Sequence, residues 1–222
     1  MLVQADGVAR VAKWAAKAVV ILMGVVMLGI VLPSRSAIAS SYNEQAATNY
    51  ANEYWSSYNP AYPSYGNDCT NFVSQALYSG GLRGPVYFNA HMGVYQTTSN
   101  NYYWFMLPQY GAYSYSWTVA QDLYDHLLSF GYAKLQGTYP GTDLNEYSGV
   151  YRGDPIFFSW TSNGSMDHAV IQVGVGTDPY FGEYGNVVDS HTNNRYHAFW
   201  DLYGENQSRA TTTVYTVHIP TS

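Results

Sequence analysis

The chain has 222 residues, a formal net charge of -6 and only 11% charged residues, a length that supports one substantial core rather than several domains. Past residue 39 five basic residues face fourteen acidic ones, a balance that excludes a nucleic-acid partner held by phosphate neutralisation. With a single cysteine no disulfide can form within the chain, so the thiol is buried and inert, paired between chains, or kept free to react.

The first 39 residues are expected to be a signal peptide. Arg10, Lys13 and Lys17 precede an apolar run over residues 18–32, and Ser-Arg-Ser-Ala-Ile-Ala then offers a small-residue site that puts cleavage after Ala39. The run is shorter than the roughly 20 residues that span a bilayer. Membrane contact is therefore expected only if the leader stays uncut. The mature part, residues 40–222, is then a secreted, extracellular domain in an oxidising compartment, expected to be a monomer. Its surface is polar but poor in charge, and its tyrosines and tryptophans suit contact with sugars or peptides.

Along residues 43–58 the positions Ala46, Ala47, Tyr50, Ala51, Tyr54 and Tyr58 recur at three- and four-residue steps, predicting an amphipathic helix stopped by Asn59-Pro60. Pro60, Pro63 and Gly66 then mark a loop. The stretch NDCTNFVSQAL, residues 67–77, turns from polar loop into a second helix that Gly80-Gly81 ends, with Asp68 as the natural N-cap and Cys69 in the first turn. Residues 82–117 read as an irregular, aromatic-rich insertion. A capping box, T-V-A-Q at residues 118–121, opens a third helix whose Val119, Leu123, Leu127 and Phe130 share a face up to Gly131. Residues 134–149 read as turns. Short β-branched or aromatic runs follow at residues 154–160, 168–176, 186–192 and 211–219. Helices first and strands second predict an α+β class, N-terminal helices packed on a C-terminal antiparallel sheet.

Unpaired N–H groups at a helix start favour negative charge, so a thiol at Cys69 is placed both to attack and to have the resulting oxyanion met there, in the region of Asp68 and Cys69. The charge of Asp68 opposes this unless it is spent on capping. A cysteine nucleophile needs a base. His126 falls on a helix surface, His91 in the insertion, His197 in a loop and His218 near the end. His168 opens a strand where a loop meets the sheet edge. In NVVDSHTNN the residues Val187, Asp189, His191 and Asn193 alternate onto one strand face, which makes His191 the group to orient His168, with Asp189 or Asn193 as alternates. No set of residues has metal-ligand spacing, and no cofactor is expected.

The segments YNEQAATNYANEYWSSYNPAY, DCTNFVSQALYSGG, GDPIFF, DHAVIQVG and SHTNNR, in that order from Tyr42 to Arg195, resemble the secreted bacterial putative amidase domain family. That family is similar to the CHAP and NlpC/P60 cysteine hydrolases. The resemblance implies a papain-like fold over residues 40–222, Cys69 as nucleophile, His168 as base and His191 as the third polar residue. It also implies hydrolysis of amide bonds in peptide material, cell-wall peptide being the nearest substrate by analogy. The 99 positions separating Cys69 from His168 put the insertion outside the catalytic core. Two other readings stand beside the thiol amidase or peptidase: a non-catalytic glycan- or peptide-binding module with Cys69 silent, and a structural dimer linked through Cys69.

Overall fold

The computed structural model describes residues 42–143 and 145–221; the expected leader lies outside the described residues. Asn43 accepts the Ala46 N–H and so opens α1 (Glu44–Tyr54), which stops short of the expected Tyr58 as the chain turns at Trp55. The second helix, α2 (Cys69–Ser79), starts at the cysteine and ends where Gly81 takes φ 95°, a conformation that only glycine enters freely. Short ribbons follow: β1 (Phe88–Asn89) with β2 (Val94–Tyr95), and β3 (Met106–Leu107) with β4 (Ala112–Tyr113). A short α3 (Tyr115–Thr118) precedes α4 (Ala120–Ser129).

The remainder is one six-stranded, wholly antiparallel sheet in the order β5 (Lys134–Pro140), β10 (Thr213–His218), β6 (Pro155–Ser159), β7 (His168–Thr177), β8 (Tyr184–Ser190), β9 (Arg195–Phe199). The α+β class and the antiparallel sheet agree with the expectation. Both faces of the central strands are buried. On one, Phe157, Ala169, Ile171, Val173 and Val187 pack on Phe72, Val73 and Ala76 of α2 and on Ala47 and Ala51 of α1. On the other, Ile156, Phe158, Val170, Val188 and Val214 pack beneath Val150, Trp200 and Leu202.

Four local expectations are corrected. The capping box at residues 118–121 does not form: Thr118 closes α3, Val119 is extended at the start of α4 with no side-chain cap, and Gln121 accepts the Met166 N–H instead. β5 lies where turns were expected, an edge strand exposed on both faces and so without apolar alternation. His197 belongs to β9, not to a loop. The insertion is not outside the core, since Trp104 and Trp117 are buried against α2 and their indole N–H groups donate to Ser74 and Asn71.

His126 is likewise no surface residue. It is fully buried, its ring stacked near Trp104 and Tyr132, and Nδ1 lies 2.7 Å from the Asn101 carbonyl, to which it must donate. Burial pushes its pKa down to about 4.

Candidate active site around the start of the cysteine helix

The first N–H groups of a helix have no partner within it. At α2 the acceptor comes from a turn distant in sequence. Thr192 Oγ1 receives the N–H of Asp68 at 2.8 Å and that of Cys69 at 3.2 Å. Asp68 occupies the N-cap position but caps nothing with its side chain, contrary to expectation. Its Oδ1 accepts the Tyr65 N–H and the Asn71 amide, each at 2.9 Å, while Oδ2 lies 2.8 Å from Nδ1 of His191. The carboxylate is thus spent on an imidazole, with 1% of the residue exposed.

His191 stands beyond the end of β8 and joins three elements. Its ring stacks on Phe72 of α2 at 4.3 Å, Tyr58 meets it edge-on at 5.0 Å, and Nε2 lies 2.7 Å from the carbonyl of Tyr54, the last residue of α1. That carbonyl can only accept, so Nε2 donates. Asp68 Oδ1 already accepts two N–H groups, which leaves Oδ2 as the oxygen that holds Nδ1 of His191. The Cys69 sulfur, in a residue 7% exposed, lies 3.7 Å from Thr70 Oγ1.

His168 is elsewhere. It pairs across the ladder with Phe158, and its ring lies 5.9 Å from Phe158 and 5.5 Å from Trp160, on the face of Val170 rather than that of Ala169 and α2. Burial first, and then the Arg195 charge, push its pKa down to about 3, and Nε2 is buried without a hydrogen bond to any described residue. The expected contact with Cys69 is therefore not made. Successive side chains point to opposite faces of a strand, and α2 rests on the one that carries Ala169. His191, expected to orient His168, instead holds Asp68.

The alternates fare differently. Asp189 shares the face of Val187, as the alternation predicts, since it pairs with Ile171. Among the described residues it orients no imidazole: Oδ1 accepts the His197 backbone N–H at 2.8 Å, Oδ2 is buried without a partner, and burial raises its pKa to about 7. Asn193 lies past the strand in the turn, at φ 63°. The expected oxyanion donor at Cys69 is also engaged, because Thr192 holds that N–H. Sequence reasoning missed Thr192. A Thr with φ 61°, rare for a β-branched residue, is visible only in the fold. The Asp68–His191 pair was missed too, for the two are 123 positions apart and only the Asp68–Cys69 adjacency hinted at it.

A family model described as Putative amidase domain matches residues 41–215. Among curated proteins, "Uncharacterized protein YhbB" of Bacillus subtilis (strain 168) is 30% identical over 135 residues, 61% of this chain and 38% of that protein, so the match spans well under half of that relative's length. No solved structure matches.

Proposed function

As the chain belongs to the Putative amidase domain family, an amidase-like group of hydrolases, we propose that it cleaves amide bonds with Cys69 as nucleophile and the Asp68–His191 pair as its proton carrier. The observation that carries this reading is the 2.8 Å contact of Asp68 Oδ2 with His191 Nδ1, next in sequence to a cysteine on a helix tip. A carboxylate on Nδ1 leaves Nε2 as the working nitrogen, the division of labour of a catalytic triad. A nucleophile helix packed on an antiparallel sheet supports a papain-like, NlpC/P60-like reading of the fold.

In the reaction the Cys69 thiolate bonds to the amide carbon, and the carbonyl electrons move to oxygen. His191, releasing the Tyr54 carbonyl, gives its Nε2 proton to the leaving nitrogen as the C–N bond breaks. Water then attacks the thioester while the neutral imidazole takes its proton, and the sulfur departs as thiolate. Thr192 must turn away for the Cys69 N–H to meet the oxyanion. The substrate is proposed to be peptide amide, cell-wall peptide by resemblance, met outside the cell after the leader is removed.

The test is release of free amine from peptide amides and from purified cell-wall peptide. Cys69→Ala is expected to remove turnover, and His191→Gln to lower kcat by about 10²–10⁴-fold. Asp68→Asn is expected to cost less than the loss of the ring it orients. His168→Gln is expected to keep activity within about tenfold, as it acts on no reacting atom. A folded His168→Gln without turnover beside an active His191→Gln would overturn the assignment.

The near-closure of Cys69 favours one second reading, a binding module with a silent thiol. Iodoacetamide separates the two: rapid labelling of Cys69 near neutral pH supports the hydrolase, and labelling no faster than that of a free cysteine supports the binder.

A further inference from the structure

β7 is ten residues long, yet β6 pairs only with its first four, from His168 to Ile171. Gly153 and Asp154 continue that edge for one residue by bonding Gln172 at 2.7 and 2.9 Å. On the other side β8 accompanies β7 as far as the Thr177–Tyr184 pair. Residues 173–177 thus have a strand on one edge only. Among the described residues no hydrogen bond reaches their backbone from the other. Exposed strand edges are commonly blunted by lysine, proline or inward charge; this stretch reads Val-Gly-Val-Gly-Thr and carries none of these.

A cavity of about 600 Å³ opens at this end of β7, lined among others by Tyr147, Tyr151, Gly174, Val175 and Asn186. A Cβ placed on Gly174 or Gly176 would meet nothing within 4 Å. Asn186, only 4% exposed, lines the cavity, and its Oδ1 accepts the N–H and the hydroxyl of Ser148. Tyr147 and Tyr151 stand exposed on the rim.

We propose that this edge is a docking site for an extended peptide, which adds a strand beside residues 173–177. The row of unpaired main-chain donors and acceptors selects a peptide over a sugar, because its alternation matches another backbone. The Asn186 amide donates to a carbonyl of the incoming strand. The two glycines leave room for bulky side chains at alternate positions of the peptide, held between Tyr147 and Tyr151. Gly174 is six residues along β7 from His168, about 20 Å at ~3.3 Å per residue, and Cys69 lies toward the His168 end. The site therefore stands independently of the amidase reading.

Hydrogen exchange on the full chain carrying Cys69→Ala, which cannot turn over, tests this with a mixture of capped hexapeptides randomised at alternate positions. Exchange in residues 173–177 is expected to slow at least fivefold. The same mixture N-methylated at every second amide should give no protection, and Tyr147→Ala with Tyr151→Ala should raise the half-protecting concentration at least tenfold. Failure of the peptides to protect this strand would overturn the proposal. So would equal protection by the methylated mixture, protection by chitin hexasaccharide in place of peptide, or protection that grows with protein concentration alone and reports a second copy of the chain.

Discussion

His191, just past the end of β8, and His168, at the start of β7, show how far two buried histidines of one chain can differ. Both ring nitrogens of His191 lie against oxygen atoms, whereas His168 sits among aromatic rings with Nε2 unpartnered among the described residues, held neutral by burial. Its folded pKa, about 3, lies below the ordinary 6.5, so the stability it contributes is complete above pH 6.5 and is lost as pH falls toward 3. Asp189 works the other way. Its folded value, about 7, lies above the ordinary 3.8, so its contribution is complete below 3.8 and is lost as pH rises through 7. Between pH 7 and pH 5 each amounts to about 2 kcal/mol and the two nearly offset. Urea denaturation across that interval is therefore expected to become more favourable to the folded state on acidification in His168→Phe, and less favourable in Asp189→Asn. Equal slopes in both variants and the parent would refute the assignment.

At the scale of elements, α2 depends on an oxygen it does not own. Thr192 Oγ1 accepts the N–H groups of the N-cap residue Asp68 and of Cys69, the first residue of the helix, and Thr192→Ala is expected to cost about 1 kcal/mol in equilibrium denaturation. The same variant is expected to change the iodoacetamide rate at Cys69, which a loss confined to stability would leave alone. The positions of α1, α2, α4 and four of the sheet strands were legible in the sequence, since their apolar spacing reports burial on one or both faces. β5 was not, because an edge strand with polar residues on both sides carries no period. Nor was the face taken by His168. A strand buried on both sides presents Ala169, Ile171 and Val173 to one core and Val170 to the other, so alternation cannot say which the histidine joins. Around the candidate site, the place of Cys69 in the first turn of α2 was legible, and what was illegible were the contacts whose partner comes from across the chain.

At the scale of the molecule, the aromatic insertion is structural. Trp104 and Trp117 lie 4.8 Å apart and tie it to Ser74 and Asn71 of α2. Residues 84–121 contain no Asp, Glu, Lys or Arg, so no ion pair can form within this region and aromatic packing carries much of its order. Trp117→Ala is expected to lower stability by about 3–5 kcal/mol, and excision of residues 82–117 to leave no cooperative thermal transition. A cut-down chain that still melts cooperatively would show the insertion to be an appendage after all.

The groups that finish the cysteine helix, His191 and Thr192, are translated more than a hundred residues after it. A ribosome that has emitted α1 and α2 has produced the helix without the two side chains that complete its start, and the N–H groups of Asp68 and Cys69 are left to water until the turn after β8 is made. The beginning of this helix is consequently finished only when the last third of the chain has folded onto it.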